Sequence, residues 1–353
     1  MFPGVKAITS ITSVLYRVYS PWGRRMAWAV LYQADRAGVF RGGWSLQRTL
    51  RTQIDVVGVG LHTGQRIRMR IEPAGPGSGI RFYRDDLNGA FLALNGRTPI
   101  GRADHATTLA GDGFKITTVE HLLAALSMMG VDNAAIRLSS DEVPIMDGSS
   151  APFVYLIREA GLRSQGLPRR AIRVTKPIGI LDGDREVTIY PADDLRVTYT
   201  IDFAHTSIGR QTMTRVIDRR TFVNEIAPAR TFCLLKDVQA LRSRGLALGG
   251  SLANAVVVGD AGPLNGLRFH DEFIRHKILD LLGDLALMGC PVLGHVVAHK
   301  AGHALHAGLI QRLQRDTDSW VFSEMPETAP SRSSRPSMAE GQVAALSASS
   351  AAR

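Results

Sequence analysis

A histidine and two aspartates recur every four residues in the segment 268–288, as His276, Asp280 and Asp284. The apolar residues of this segment follow a helical period, so the polar groups form a second stripe beside the apolar one. Histidine and aspartate at this spacing can bind one metal ion. A His–Asp hydrogen bond with a nearby ion pair, to which Lys277 would contribute, is the commoner origin of such a pattern. The segment alone leaves both interpretations open.

The adjacent residues Glu120 and His121 are a second candidate for chemistry. A histidine ligand next to a carboxylate would place a general base beside a metal site. Glu120 also fits a capping box with Thr117 at the start of a helix, which would be a purely structural role. These residues therefore also leave two interpretations open.

A histidine cluster follows the segment 268–288 closely. It consists of His295, His299, Lys300, His303 and His306. A single histidine in such a stretch is more often a satisfied or solvated side chain than a catalyst. The cluster can nevertheless fold back over the preceding helix, which favours a shared site. A fourth segment, Gly58–Gly64, predicts a tight turn but lacks the third glycine of a dinucleotide-binding fingerprint.

The net charge of +10 does not indicate nucleic-acid binding. Residues 1–44 hold six basic residues and one aspartate, a net +5, and the middle of the chain has no basic block with interleaved aromatic residues. A modestly basic middle suits an anionic small-molecule substrate. No apolar run approaches the roughly 18 residues of a membrane span. Two cysteines, Cys233 and Cys290, give neither a disulfide framework nor a CxxC metal motif, which fits a reducing compartment.

The chain is long enough for two domains, and strand patterns followed by helix patterns predict an α+β fold in each. No internal sequence repeat is visible. We expect a disordered N-terminal extension at 1–44, a first domain at 45–163, a linker at 164–170, a second domain at 171–322 and a disordered tail at 323–353. The extension fits an upstream start, a disordered arm or a targeting leader.

The predicted elements follow from apolar periodicity and turn residues. The strands are Ile54–Val59, Ile67–Ile71, Ile80–Tyr83, Ala134–Leu138, Ala171–Val174, Glu186–Tyr190, Arg196–Phe203 and Arg215–Phe222. The helices are Val119–Met129, one that begins after a serine cap near Ser150, and Asp271–Gly289.

Seven segments, in this order, resemble motifs of the UDP-3-O-acyl-N-acetylglucosamine deacetylase family, the zinc amidases of lipid A synthesis. They are Gly58–Gly64, Thr118–His121, Val143–Ser149, Arg230–Phe232, Gly245–Ser251, Arg275–Asp280 and Ala301–His303. The resemblance covers roughly residues 45–320. It implies two similar two-layer α+β domains, each with a small insert, which pack helix layer to helix layer around the site.

The resemblance also implies a set of catalytic roles. His121, His276 and Asp280 match the zinc ligands, with a fourth position left for water. Glu120 matches the general base and Thr231 the oxyanion donor. His303 matches the general acid and Asp284 its partner. Lys277 matches a position near the diphosphate or the reacting amide.

Further positions match substrate contacts of the family. Asp202 and Phe203 resemble a uridine-binding pair, although the following His-Pro of the family reads His205-Thr206 here. Lys300 matches a contact near the diphosphate or the amide, Phe232 belongs to a matched motif, and His62 matches a position of unassigned role. An insert at about 232–258 would form a passage for the acyl chain. Its lining would include Leu235, Val238, Ala247, Ala255 and Val257.

The function implied by the resemblance is zinc-dependent hydrolysis of the N-acetyl group of UDP-3-O-(3-hydroxyacyl)-N-acetylglucosamine by a cytoplasmic monomer. One alternative is a zinc amidase that acts on a different nucleotide sugar or acylated sugar. Another is a catalytically dead, basic binding module that purifies without metal. A serine or cysteine hydrolase is a third, but no G-x-S-x-G motif is present and Cys233 has no base beside it in sequence.

Overall fold

The computed structural model describes residues 45–101 and 106–325. The predictions for residues 1–44 and for most of the tail lie outside the described residues. Within them, no helix is long and apolar enough to cross a membrane.

The described residues form nineteen strands and six helices. The strands are β1 (Leu46–Leu50), β2 (Ile54–Val59), β3 (Arg66–Pro73), β4 (Ile80–Arg84), β5 (Ala90–Leu94), β6 (Thr108–Ala110), β7 (Lys115–Thr117), β8 (Ala134–Leu138), β9 (Leu162–Pro168), β10 (Arg170–Val174), β11 (Ile178–Asp182), β12 (Arg185–Tyr190), β13 (Leu195–Asp202), β14 (Arg210–Val216), β15 (Phe232–Leu234), β16 (Val256–Gly259), β17 (Gly262–Pro263), β18 (Val292–His299) and β19 (Trp320–Glu324). The helices are α1 (Glu120–Met129), α2 (Ala151–Ala160), α3 (Arg219–Thr221), α4 (Leu235–Ser243), α5 (Glu272–Leu285) and α6 (His303–Arg315). A π-helical turn spans Phe222–Ile226, and short 3-10 turns span Asp85–Leu87, Ala286–Met288 and Thr317–Ser319.

The two halves of the chain share a five-strand topology, to which the second half adds β10 and β19. In the first half the strand order is β2-β3-β8-β4-β5, with a parallel β8–β4 pair and antiparallel pairs elsewhere. In the second half β11-β12-β18-β13-β14 repeats this order and these directions. Helices α1 and α2 flank β8 in sequence as α5 and α6 flank β18. The prediction of two similar α+β domains is confirmed, although no repeat is visible in the sequence itself.

Each sheet has one buried face. Along β3, for example, Ile67, Met69 and Ile71 are buried while the alternating Arg68 and Arg70 are exposed. This period of two is typical of an antiparallel sheet covered on one side only. The helices supply that cover, so each half is a two-layer unit.

The helix layers of the two halves meet at α1 and α5. Leu122, Leu123 and Leu126 of α1 are each at most 1% exposed, and thirteen of the fourteen residues of α5 are buried. A helix that is buried on nearly all sides lies between two layers. At the contact, a Cβ atom on Gly283 would lie 2.1 Å from the carbonyl oxygen of Glu120. Helices α1 and α5 therefore pack closely at this seam.

Both inserts occur at the same point of the repeated topology. In the first half, the β6–β7 hairpin lies between β5 and α1. In the second half, β15, α4, β16 and β17 lie between β14 and α5. Each insert therefore immediately precedes the central helix of its half and can reach the seam.

Most predicted elements are present, and some predictions are corrected. The predicted strand Arg215–Phe222 is wrong, because β14 ends at Val216 and Arg219–Thr221 is helical, with the Asp218 side chain accepting the Thr221 N–H. The capping box at Glu120 is also wrong, because no side chain caps α1 and Thr117 belongs to β7.

The two predicted domain boundaries fall on ordered strands. The predicted linker 164–170 is mostly strand β9, which pairs antiparallel with β1. Strand β19 continues to Glu324, two residues past the predicted end of the second domain, and pairs with β10. The division of the chain into domains at these positions stays a prediction.

Candidate metal centre and catalytic site

Three predicted ligands come together at the seam between the halves. His121 lies in the first turn of α1, and His276 and Asp280 lie one turn apart on α5. Asp280 Oδ1 is 3.7 Å from His121 Nε2 and 3.2 Å from His276 Nε2. Candidate ligand atoms of all three residues lie within 4.8 Å of one another. One cation could contact all three groups.

The donor atoms of this cluster are prepared for a cation. Asp280 Oδ1 is buried and has no hydrogen-bond partner among the described residues. His276 Nδ1 lies 3.0 Å from the Ala229 carbonyl oxygen, which can only accept a hydrogen bond, so Nδ1 is the donor and Nε2 is the nitrogen that faces Asp280. Two imidazole nitrogens and one carboxylate oxygen are a donor set that suits zinc. A metal ion would satisfy the buried Asp280 oxygen, which otherwise has no hydrogen-bond partner among the described residues.

Asp280 is held in its charged form. Burial alone would raise its pKa, but His276 and Lys277 lower that pKa well below the ordinary value. Lys277 Nζ donates to Asp280 Oδ2 at 2.9 Å, which leaves Oδ1 for the cluster. The i,i+3 ion pair therefore orients the carboxylate as well as stabilising its charge.

Glu120 is almost fully buried beside this cluster, and burial is the main cause of its raised pKa. Its Oε2 accepts the N–H of Thr107 at 3.0 Å. A carboxylate with a raised pKa next to a candidate metal site is suited to accept a proton near neutral pH. The local structure favours this role over the capping role.

Asp284 connects two histidines of the downstream cluster. Its Oδ2 lies 3.0 Å from His303 Nδ1 and 2.8 Å from His306 Nδ1, and its Oδ1 accepts the hydroxyl of Thr107. Burial alone would raise the pKa of Asp284 and lower the pKa of His303, because it disfavours both charged forms. Nevertheless, its histidine partners lower the pKa of Asp284 to about 2, and Asp284 and Asp280 raise the pKa of His303 to about 9. His303 is therefore a cation at neutral pH.

His306 belongs to the same buried network. Its Nε2 lies 3.1 Å from the hydroxyl of Tyr199, which donates to the Ala301 carbonyl oxygen. Burial lowers the pKa of His306 despite its contact with Asp284. Asp284, His303 and His306 are also close enough to bind a metal ion. Their mutual hydrogen bonds distinguish them from the first cluster, where Asp280 Oδ1 is unpaired.

Thr231 is held by a loop from the first half of the chain. Its N–H donates to the Gly148 carbonyl oxygen at 2.8 Å, and its carbonyl oxygen accepts the Val256 N–H at 2.7 Å. Gly148 has a φ of 84°, and a Cβ atom there would lie 2.0 Å from the Asn254 carbonyl oxygen. Only glycine fits this close approach. The motif Val143–Ser149 thus positions the predicted oxyanion donor.

An ion pair fastens the same loop to the second half. Arg268 Nη2 lies 2.8 Å from Asp147 Oδ2, and Arg268 Nη1 donates to the Pro228 carbonyl oxygen at 2.8 Å. Asp147 Oδ1 also accepts the N–H of Ser149 at 3.0 Å. Asp147 directly precedes Gly148, which accepts the Thr231 N–H, and Pro228 lies three residues before Thr231. The ion pair therefore lies close to Thr231.

The motif Gly58–Gly64 has an analogous structural role. The buried carboxylate of Glu142 accepts the N–H groups of His62 and Thr63 at 2.8 and 2.9 Å. The His62 carbonyl oxygen then accepts the N–H of Leu248, which belongs to the second insert. The loop thus connects the first half to that insert, and a substrate contact of His62 stays a prediction.

The aromatic residues among the predicted substrate contacts lie next to His276 of the candidate metal-binding group His121, His276 and Asp280. The Phe232 ring packs edge-on against His276 at 6.4 Å and against Phe203 at 5.6 Å between ring centres. Lys277 Nζ lies 5.7 Å from the centre of the Phe232 ring. The row of rings extends from His276 to the end of β13.

Beyond Phe203, at the end of β13, Asp202 forms an ion pair with Lys300. Lys300 Nζ lies 3.3 Å from Asp202 Oδ2 and donates to Asp184 Oδ2 at 2.9 Å. Asp202 directly precedes Phe203. The structure thus brings together the residues proposed for the uridine and the diphosphate, and their binding roles stay predictions.

The five predicted lining residues of the acyl passage all belong to the second insert. Leu235 and Val238 are on α4, Ala247 is in the following loop, and Ala255 and Val257 lie at β16. Leu235 is 49% exposed, whereas Ala255 is 6% exposed. Their lining of a passage stays a prediction.

Several residues of the site were missed in the sequence. These residues are far along the chain from the groups they contact, so no local spacing in the sequence indicates them. They are Thr107, Glu142, Arg268 and Tyr199. Gly283 did have a signal, because a glycine inside a helical pattern indicates close packing. The cysteine-hydrolase alternative loses support, since burial raises the pKa of the Cys233 thiol.

Comparison with known proteins identifies relatives that match most of the chain. The sequence profile of the UDP-3-O-acyl N-acetylglycosamine deacetylase family matches residues 47–315. A protein of Pseudomonas entomophila named UDP-3-O-acyl-N-acetylglucosamine deacetylase is 43% identical over 296 residues, which cover 82% of this chain and 98% of the relative. A protein of the same name from Acidithiobacillus ferrooxidans is 46% identical over 288 residues, 80% of this chain and 94% of the relative. The profile match and these relatives show that the chain belongs to the UDP-3-O-acyl N-acetylglycosamine deacetylase family.

Proposed function

We propose that this protein hydrolyses the N-acetyl group of UDP-3-O-(3-hydroxyacyl)-N-acetylglucosamine to acetate and the free amine, a step of lipid A synthesis in the cytoplasm. The observation that carries the proposal is the convergence of His121, His276 and Asp280 beside the buried carboxylate of Glu120. A single chain contributes all of these residues, so a monomer suffices.

His121, His276 and Asp280 would hold the metal, which we take to be zinc because of the two nitrogens and one oxygen. When bound, zinc would act as a Lewis acid, which polarises the amide carbonyl and lowers the pKa of the attacking water. The Lys277–Asp280 and His276–Ala229 hydrogen bonds fix the two ligands of α5 beforehand. Such partners orient ligands and strengthen their binding.

Glu120 would act as the general base. Its Oε2 is occupied by the Thr107 N–H, so Oε1 remains to take the proton of the attacking water. The raised pKa of Glu120 improves its strength as a base near neutral pH. Proximity to the bound amide would supply much of the remaining rate enhancement.

His303 would act as the general acid. Its Nδ1 faces Asp284, so the proton on Nε2 is available for the amine nitrogen as the carbon–nitrogen bond breaks. The raised pKa of His303 keeps that proton in place until it is needed. The Thr231 hydroxyl would stabilise the oxyanion, which is supported by the rigid backbone contacts of this residue.

The remaining contacts would bind the two ends of the substrate. Phe203 would stack on the uracil ring with Asp202 beside it, and the ammonium groups of Lys277 and Lys300 suit the negative charges of the diphosphate. The apolar residues of the second insert would receive the acyl chain. In this arrangement the acetamido group of the substrate would lie between His303 and the three proposed metal ligands.

Acetate release from UDP-3-O-acyl-N-acetylglucosamine by the purified protein tests the proposal. We expect release that stops when a chelator removes the metal and returns when zinc is added. UDP-N-acetylglucosamine without the acyl chain is the matched control substrate, and we expect it to react far more slowly. A metal-free protein that releases no acetate even after zinc is added would instead support the binding module. Equal rates on both substrates would support an amidase for another sugar.

A further inference from the structure

Thr107 contacts both the proposed base and the proposed acid, although no sequence motif singles it out. Its N–H donates to Glu120 Oε2 at 3.0 Å, and its hydroxyl donates to Asp284 Oδ1. The same hydroxyl oxygen lies 3.1 Å from His303 Nδ1. Thr107 itself is 2% exposed. One buried residue thus reaches groups that belong to both halves of the chain.

The first insert explains how Thr107 reaches this position. Thr107 directly precedes β6, and β6 pairs antiparallel with β7 in the register Thr108 to Thr117. Strand β7 leads into α1, which begins at Glu120. The hairpin therefore brings Thr107 next to Glu120, although the two residues are thirteen positions apart in the sequence. Because α1 packs on α5, Asp284 and His303 of the second half come within reach as well.

Thr107 binds one oxygen of each carboxylate, Oε2 of Glu120 and Oδ1 of Asp284. For Glu120, Oε2 is held and no second hydrogen bond to the carboxylate is found within residues 45–101 and 106–325. For Asp284, Oδ1 is held by the Thr107 hydroxyl, while Oδ2 faces both His303 and His306. A carboxylate held at one oxygen keeps the direction of the other oxygen fixed.

We propose that Thr107 is a positioning residue that fixes the base and the acid relative to each other across the seam between the two halves. The proposal rests on the proposed function, because it assumes that Glu120 and His303 act on the same amide. The backbone N–H sets the base, and the hydroxyl sets the acid through Asp284. Removal of the hydroxyl alone should therefore disturb the acid and leave the backbone contact to Glu120 in place.

Thr107→Val tests the hydroxyl, because valine keeps the branched shape and the backbone N–H. We expect kcat for acetate release to fall by about 10-fold or more, with KM within about threefold of the parent, since a small misplacement of a catalytic group costs rate rather than binding. Thr107→Ser restores a hydroxyl and should keep kcat within about threefold of the parent. The zinc content of both variants should equal that of the parent.

Thr108→Val is the matched control, one residue along the chain. The Thr108 methyl faces Gly101, and valine keeps that methyl, so we expect the parent kcat. The proposal is overturned if Thr107→Val retains the parent kcat, if Thr107→Ser is as slow as Thr107→Val, or if Thr108→Val loses as much rate. If Thr107→Val does not fold, Thr107→Ala and Thr107→Ser are compared, and equal kcat values for this pair overturn the proposal.

The same assay separates this proposal from the proposed function. A parent protein that releases no acetate with zinc present contradicts the deacetylase activity itself. An active parent whose Thr107→Val variant is equally active contradicts only the positioning role.

Discussion

The α-carbon of Gly283 lies so close to the carbonyl oxygen of Glu120 that an added Cβ atom would be 2.1 Å from it. This contact joins α5 of the second half to the first residue of α1. Along α5 it lies between Asp280, the proposed metal ligand, and Asp284, the proposed partner of the acid. The spacing of the two helices therefore determines where Glu120, the proposed base, lies relative to the rest of the site.

Gly283→Ala should separate α1 from α5. We expect the free energy of unfolding to fall by about 1–3 kcal/mol, which is typical of overpacking, and kcat to fall because Glu120 is displaced. Urea denaturation and acetate release measure the two effects.

Gly308→Ala is the matched control, because Gly308 is also inside a helix. A Cβ atom there would meet Ile180 at an ordinary 3.5 Å. Alanine has the higher helix propensity, so we expect up to about 1 kcal/mol of added stability. If both variants behaved alike, the close α1–α5 contact would not matter.

The sequence and its family resemblance predicted the α+β class, seven of the nineteen strands of the described residues, and the three residues that lie close enough to hold one metal ion. These predictions depend on local periodicity or on ordered motifs, which are visible along the chain. The contacts that hold the site were not predictable in this way. Thr107 reaches Glu120 through a hairpin, and Arg268 reaches Asp147 across the seam, so both depend on tertiary packing.

The strand predicted at Arg215–Phe222 failed for a related reason. Its apolar and β-branched residues suit a strand, but Asp218 accepts the N–H of Thr221 and starts a helical turn. A side chain that bonds the backbone locally competes with the strand ladder. The resulting turn ends with Phe222 buried and leads toward the second insert.

Glu120→Gln and His276→Ala should separate catalysis from metal binding. Glutamine keeps the size of Glu120 and can still accept the Thr107 N–H, so we expect about one zinc per chain and a kcat lower by about 10²–10⁴-fold. His276→Ala removes a proposed ligand, and we expect both zinc and activity to be lost. Elemental analysis and acetate release measure these outcomes. A Glu120→Gln variant with a kcat within a few-fold of the parent would contradict its role as the base.

The Asp284–His303 pair should make stability depend on pH at both extremes. The pKa of His303 is raised from 6.5 to about 9, so its contribution is complete below pH 6.5 and is lost as the pH rises through about 9. The pKa of Asp284 is lowered from 3.8 to about 2, so its contribution is present above pH 3.8 and is lost as the pH falls through about 2.

Asp284→Asn should lower the pKa of His303 in the metal-free protein by about one unit or more, because burial is then less strongly opposed. Nuclear magnetic resonance titration of the imidazole measures this pKa, and Asp55→Asn at the surface is the control. A bound dication on Asp280 also lowers the pKa of His303, so the alkaline limit of kcat should lie below 9. An unchanged pKa in Asp284→Asn would show that Asp284 does not hold the proton of His303.

Arg268 and Asp147 should stabilise the seam as a pair. Their side chains are 28% and 10% exposed, so we expect Arg268→Met and Asp147→Asn each to lower the free energy of unfolding by about 1–3 kcal/mol. The double variant should lose less than the sum of these values. The pair Arg70–Asp55, 48% and 44% exposed, is the control and should contribute at most about 1 kcal/mol. Because the clamped loop holds Thr231, Asp147→Asn should also lower kcat. Additive losses in urea denaturation would mean that the two side chains do not cooperate.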